Sequence, residues 1–303
     1  MTNSLTAIPL VSRISSRVIR VLGCNPGPMT LQGTNTYLVG TGKRRILIDS
    51  GDKETAPEYT RLLSDVLKSE DATLEHLLLT HWHHDHVGGA KSVRNLLTSH
   101  KRSPDENSLR IWKLPRSPGD ATTLTEEERD LGDFEALEDG QNFEVEGATL
   151  KVRRTPGHTT DHACLQLEED NALFSGDCIL GEGTAVFEDL RDYMKSLDEI
   201  ADMAPAVIYP GHGPVVDDPL PKVKFYIEHR RRREEEILEA VRKNADLQGN
   251  AGLSEIDIVR RVYKNTPENL WPAAAENVGH HLKKLSKEGK ICGEKGGWFA
   301  RRN

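Results

Sequence analysis

Along the first two thirds of the chain, short apolar or β-branched runs alternate with polar, glycine-rich turns. Ile46-Leu47-Ile48 leads into Asp49-Ser50-Gly51, Leu77-Leu78-Leu79 into Thr80-His81, Ala172-Leu173-Phe174 into Ser175-Gly176-Asp177, and Val207-Ile208-Tyr209 into Pro210-Gly211-His212. Runs of this kind bounded by turn residues predict strands. A strand fixes direction, and the loop after it frees polar side chains to converge on one place. Val18 to Leu22 is predicted as the first strand, and helices are predicted over Ala56 to Ser69 and Ala90 to Thr98. The expected body is mixed α/β, with sheet at the centre and helices outside. Ser99 to Asp133 interrupts the pattern, being polar and proline-containing, and is predicted to be a surface insertion with a helical piece whose Glu126-Glu127-Glu128 forms a solvated face.

The pattern changes near Pro219-Leu220-Pro221, which places a boundary between a body, residues 1 to 221, and a tail, residues 222 to 303. A long helix is predicted from Lys222 to Lys243, carrying Arg230-Arg231-Arg232-Arg233 and then Glu234-Glu235-Glu236. After Gly249 to Gly252 the pattern predicts helices at Ser254 to Tyr263 and Ala273 to Glu288, then a Gly-rich ribbon ending in Trp298-Phe299. Helix, turn, helix and wing is the order of a small winged-helix module.

Charge divides at the same boundary: 22 Lys and Arg against 36 Asp and Glu in the body, net −14, and 18 against 12 in the tail, net +6, which together give the chain's −8. An acidic body has no broad positive face for a polyanion, so nucleic acid would have to be gathered by bound metal and the basic tail. No apolar run approaches the roughly 20 residues of a membrane-spanning helix, so no membrane association is expected. Cys24, Cys164, Cys178 and Cys292 lack the paired spacing of a zinc ribbon or disulfide scaffold, which points to a reducing compartment. Cys178 reads as a small buried apolar residue, with a reactive role as the alternative. No acidic residue precedes Asp49, and Arg13, Arg17 and Arg20 sit among serines and aliphatics, the composition of an organelle transit peptide. If Val18 begins the first strand, only about 16 residues remain as leader, and a frayed tail is the other reading.

His81, His83, Asp85 and His86 stand within six residues after an apolar strand, a ligand density that packing does not explain. Imidazole with carboxylate suits zinc, and manganese or iron are admitted by the same donors. His158, Asp177 and His212 each follow a strand and a glycine. These seven candidates are too many for one tetrahedral ion and suit two ions sharing a bridging carboxylate. Asp85 could instead act as a general base, and His162 could orient a ligand or protonate a leaving group. His84 is expected to face solvent or pack locally, and His280 and His281 to be structural.

The order HxHxDH, H, D, H resembles the metallo-β-lactamase superfamily, with Asp49 at the position of its early supporting aspartate. The resemblance implies a four-layer αββα fold with a C-terminal winged-helix-like domain. It implies that His81, His83 and His158 bind one zinc, Asp85, His86 and His212 a second, and that Asp177 bridges them, with water or hydroxide between the ions as nucleophile. An aspartate at the bridging position is more similar to the glyoxalase II and nuclease branches than to true β-lactamases. Arg20 to Tyr37, Gly176 to Gly183 and Tyr263 to Leu270 resemble the animal β-lactamase-like protein 2 family, which implies a mitochondrial endoribonuclease acting on single-stranded RNA, in the matrix or else the cytoplasm. The longer insertion at Ser99 to Asp133 departs from that family. The alternative function is a thioesterase or other acyl hydrolase, of the glyoxalase II or fungal carrier-protein type. A non-enzymatic nucleic-acid or partner-binding protein with a structural zinc is the third reading.

Overall fold

The computed structural model describes residues 5–100, 109–116, 125–248, 252–264, 266–294 and 297–301. The elements of the body are β1 (Val11–Arg13), β2 (Val18–Leu22), β3 (Asn35–Val39), β4 (Arg44–Ile48), α1 (Ala56–Ser69), β5 (Thr73–Leu79), α2 (His84–Val87), α3 (Ala90–His100), β6 (Arg110–Lys113), α4 (Glu126–Asp130), β7 (Glu135–Ala136), β8 (Asn142–Val145), β9 (Ala148–Arg154), β10 (Ala163–Leu167), β11 (Ala172–Gly176), α5 (Leu190–Met203) and β12 (Val207–Pro210). Then come α6 (Pro219–Gln248), α7 (Glu255–Val262), α8 (Trp271–Lys287), β13 (Ile291–Glu294) and β14 (Gly297–Ala300).

The strands form a seven-stranded sheet in the order β1 to β7 and a five-stranded sheet in the order β12-β11-β10-β9-β8. The apolar runs are continuous because both faces of each sheet are covered. Ile46, Ile48 and Leu78 point into the space between the sheets with Leu150, Val152, Leu165 and Phe174. Their neighbours Leu47, Leu77 and Leu79 point outward against Tyr59 and Leu63 of α1 and Val93 of α3. On the second sheet, Leu173 and Ile208 turn outward to Tyr193 and Leu197 of α5 and Val223 and Ile227 of α6. Helix, sheet, sheet and helix are thus four layers fixed by a two-residue alternation.

β4 and β5 run parallel, as do β11 and β12, so their C-terminal ends open on one edge. The sheets are tied there by Asn35, whose Nδ2 donates to Pro210 O at 2.9 Å and Gly213 O at 2.8 Å, and by Tyr37 Oη, which donates to Pro210 O at 2.7 Å. The turn that follows β12 is thereby held against the first sheet.

Several expectations change. β1 precedes Val18–Leu22 and pairs with it, so the first strand is Val11–Arg13. The chain ahead of it is not frayed from Thr6 onward, since Thr6 N donates to Glu182 Oε1 at 3.1 Å. Part of Ser99 to Asp133 lies outside the described residues, but Arg110–Lys113 is a strand of the large sheet, parallel to β5. The acidic run is not a solvated face throughout: Glu128 is buried and paired with Lys113 at 3.3 Å and Arg116 at 3.3 Å. The four arginines do not share one face, although Arg233 pairs with Glu236 of the same helix at 2.9 Å. A helix turns about 100° per residue, so Arg230 is buried over the Phe187 ring, Arg231 and Arg232 are exposed, and Arg233 lies 4.1 Å from the Tyr263 ring centroid.

In the tail, α7 and α8 pack with the C-terminal half of α6 around Ile237, Val241, Val278 and Leu282, and β13 and β14 form the two-stranded wing. Ser254 caps α7 through a reciprocal bond with Asp257. α6 starts at Pro219, contributes Val223 and Tyr226 to the body's core and Ile237 to the tail's, and so belongs to both.

Candidate metal centre

The site is assembled where the parallel strands end. Asp49 follows β4 with φ 59°, a conformation aspartate tolerates better than bulkier residues, and its carboxylate turns back across the edge. Its Oδ1 accepts from Thr80 N at 2.8 Å, and its Oδ2 lies 2.8 Å from His86 Nδ1. Thr80 Oγ1 lies 3.0 Å from His81 Nδ1. A side chain at Gly211 would collide with Asp177 Oδ1, so the residue before His212 has no room for a Cβ.

Two groups of donors result, His81, His83, His158 and Asp177 in one, and Asp85, His86 and His212 in the other. In the first, His158 Nε2 is 3.2 Å from His81 Nε2, 3.1 Å from His83 Nδ1 and 3.7 Å from Asp177 Oδ2. In the second, His212 Nε2 is 3.1 Å from Asp85 Oδ2 and 3.3 Å from His86 Nε2. Asp177 Oδ1 lies 3.4 Å from both of those imidazoles, so the carboxylate faces one group with each oxygen. A tetrahedral zinc with bonds of about 2.0–2.1 Å has ligand-to-ligand edges of roughly 3.3 Å, which is the spacing found. Buried Asp177 Oδ1 has no hydrogen-bond partner, as an atom reserved for a cation would. The residues therefore fit two metal ions sharing Asp177.

The outer nitrogens are tied down. His158 Nδ1 is 2.8 Å from Val186 O, His212 Nδ1 3.4 Å from Gly33 O, and Thr34 Oγ1 donates to Asp85 Oδ2 at 3.2 Å. These contacts leave Nε2 of His158 and His212 turned inward. His162 is engaged at both nitrogens: Asp177 N donates to its Nε2 at 3.1 Å, and its Nδ1 is 2.9 Å from Thr155 Oγ1. It holds the backbone N–H of Asp177, behind the shared carboxylate. Asp85 stands within the second donor group rather than apart from it as a base. His84 is exposed, and Cys178 is fully buried.

Electrostatics separates the groups. Burial, reinforced by neighbouring imidazoles, holds His81 far below the usual histidine range, lowers His158 and His162, and brings His83 to about 3. These rings are neutral near pH 7, the form that ligates metal. In the second group burial is outweighed by Asp85 and Asp177, so His86 is raised and His212 reaches about 9. The two carboxylates are correspondingly depressed against their own burial by His86 and His212. Asp49→Asn, which weakens the acceptor behind His86, is expected to reduce metal affinity of the second group about 10–100-fold in a chelator competition.

Sequence reasoning did not find Thr34, Thr80 or a buried ion cluster behind the His158 turn. There Lys113 Nζ bonds Asp161 Oδ2 and lies 3.3 Å from Glu128 Oε1, while Thr159 Oγ1 donates to Asp161 Oδ1 at 2.7 Å. A lysine bounded by Ile111-Trp112 and Leu114 is the signal that could have revealed it.

Paired sheets between helices, with histidines and aspartates gathered at one strand-end edge, place the chain in the metallo-beta-lactamase superfamily, whose members are generally metal-dependent hydrolases. Residues 29–212 match the model of that superfamily, and residues 254–298 match the beta-lactamase associated winged helix domain. Among its relatives is the beta-lactamase-like protein 2 homolog of Drosophila melanogaster, 53% identical over 287 residues that cover 95% of this chain and 94% of that one. The homolog of the same name in Caenorhabditis elegans is 45% identical, covering 95% and 90%. The lactamase-like protein aptB of Emericella nidulans is 39% identical, covering 99% and 91%. The fold is shared with a beta-lactamase domain protein from Burkholderia ambifaria, TM-score 0.74 at 19% identity, which covers 96% of this chain and 93% of that one.

Proposed function

We propose that the protein is a two-zinc endoribonuclease that cleaves single-stranded RNA internally. Two ions held by the seven residues would supply Lewis acidity toward a phosphodiester and make water available as a nucleophile near neutral pH. The chain's own residues do the rest. Asp49, Thr80, His162 and the carbonyls of Val186 and Gly33 hold the donors in place, so little reorganisation is needed when the ions or substrate arrive.

The observation that carries the RNA reading is where the tail sits. Its net charge is +6, and its helix α8 reaches the segment behind His158, with Lys287 Nζ donating to Asp189 Oδ2 at 2.9 Å. Lys283 and Lys287 are exposed on that helix, and the Asp189 that Lys287 meets is itself bonded through its backbone N–H to Gly157 O, next to His158, so the basic tail is docked on the segment that adjoins the first donor group. A polyanionic strand is drawn to such a rim, and the attraction weakens with salt. The similarity to beta-lactamase-like protein 2 homologs extends through both domains and supports the same reading.

The test is a side-by-side assay of protein of known metal content on single-stranded RNA and on a small acyl thioester, with His83→Ala as the contamination control. RNA cleavage that falls more than about a hundredfold in the variant is expected, a larger loss than removing an outer partner of a ligand would cause. Thioester turnover with RNA left intact would refute the nuclease reading in favour of acyl hydrolysis.

A further inference from the structure

Residues 180–189 cross between the donor groups and the tail with no regular secondary structure. One stripe of α6 holds this strap. Lys222 Nζ donates to Gly181 O at 3.2 Å, Tyr226 Oη donates to Gly183 O at 3.1 Å, and Arg230 Nη2 donates to Ala185 O at 2.6 Å. Tyr226 Oη also accepts from Leu180 N at 3.1 Å. Four residues of helix advance about 6 Å along one face. Side chains at i, i+4 and i+8 can therefore take every second carbonyl of a strap laid along the helix.

The other side of the strap meets both donor groups. Val186 O lies 2.8 Å from His158 Nδ1, Gly181 N donates to His212 O at 2.8 Å, and Glu188 N donates to Gly157 O at 2.8 Å. Arg230 itself is buried, its guanidinium 4.7 Å from the Phe187 ring centroid and its Nε without a partner. A cation buried against a carbonyl and a ring is a costly way to stabilise a helix contact. Stability alone would be better served by an apolar residue.

We propose that Lys222, Tyr226 and Arg230 are positioning residues: they fix the strap so that Val186 O holds the His158 imidazole with Nε2 toward His81 and His83. The helix that begins the tail is then part of the support of the metal centre, and the tail does more than bind substrate.

The test titrates zinc-loaded full-length protein with a chelator and reads zinc per chain together with Tm. The variants are Arg230→Met and Tyr226→Phe. Lys284→Ala is the control, since it breaks the 2.8 Å pair with Glu234 inside the tail and leaves the stripe intact. The chelator concentration that removes half the zinc is expected to fall about tenfold in Arg230→Met, the loss typical of an outer-ligand partner. A smaller fall in the same direction is expected in Tyr226→Phe, and no shift in Lys284→Ala even where its Tm drops. An unchanged midpoint in both stripe variants overturns the proposal, whatever happens to Tm. If Arg230→Met does not fold, Tyr226→Phe, which removes one hydroxyl, decides alone. The inference rests on the two-zinc reading: wild-type protein that takes up no zinc overturns both, whereas zinc held equally by wild type and stripe variants overturns this one alone.

Discussion

Asp177→Ala is expected to remove hydrolysis altogether and to strip zinc from both donor groups. Among the described residues its carboxylate alone faces both with separate oxygens: Oδ2 lies 3.7 Å from His158 Nε2, and Oδ1 lies 3.4 Å from His86 and His212 Nε2. Deleting it leaves three protein donors in each group and removes one negative charge from the space two dications would share, where burial makes each charge count for more than in water. The loss should exceed the about 10–100-fold seen when only an outer partner of a ligand is lost. Asp177→Asn keeps the volume and the backbone N–H that donates to His162 Nε2, so the fold should survive in that variant while zinc per chain falls. Metal analysis after gel filtration, beside an activity assay, checks both. Two zinc ions retained by Asp177→Ala would contradict the shared-carboxylate arrangement.

Lys113→Met is expected to cost about 3–5 kcal/mol, the penalty for breaking a buried ion pair from one side. Lys113 is 1% exposed and meets Asp161, Glu128 and, at 3.0 Å, Leu114 O. Methionine matches its length and removes its charge. Glu128 would keep Arg116 at 3.3 Å, but Asp161 would be left with Thr159 Oγ1 and no cation among the described residues. A fall in Tm on the order of 10 °C follows from that cost for a chain of this size. Adding Asp161→Asn to Lys113→Met removes the orphaned charge and should recover part of the loss, the non-additivity expected of partners in contact. A change under about 0.5 kcal/mol in Lys113→Met, the range of an ordinary surface substitution, would show that the cluster contributes nothing.

What could be read in advance was local. Ile46 to Ile48 and Leu77 to Leu79 are apolar without interruption because each strand is covered on both faces, and α1 runs over Ala56–Ser69 as its amphipathic spacing indicates. The candidate ligands stood out because chemistry is concentrated at strand ends, a short-range signal. What escaped depends on partners distant in sequence. β6 is a strand because it pairs with β5, not because Arg110–Lys113 carries a long apolar run. Glu128 is buried because Lys113 and Arg116 wait for it, and an acidic triplet taken alone says nothing of that. The four arginines look like one feature in the sequence, but helical geometry sends Arg230 inward and its two successors to solvent. The strap could not be read at all, since its role is carried by backbone carbonyls, which every residue has.

The acidic body and basic tail acquire a joint meaning in this arrangement. α6 contributes to the cores of both, and the tail's Lys287 pairs with Asp189 of the strap, so the tail is docked on the strap rather than carried as a free appendage. On the two proposals made above, substrate attraction and metal support would be two uses of one docked module.

The most direct test of the account is anomalous diffraction at the zinc edge from crystals of the reconstituted protein. Two peaks are predicted, one bounded by His81, His83 and His158 and the other by Asp85, His86 and His212, with a different oxygen of Asp177 touching each. A single peak, or two peaks of which one makes no contact with Asp177, would contradict it.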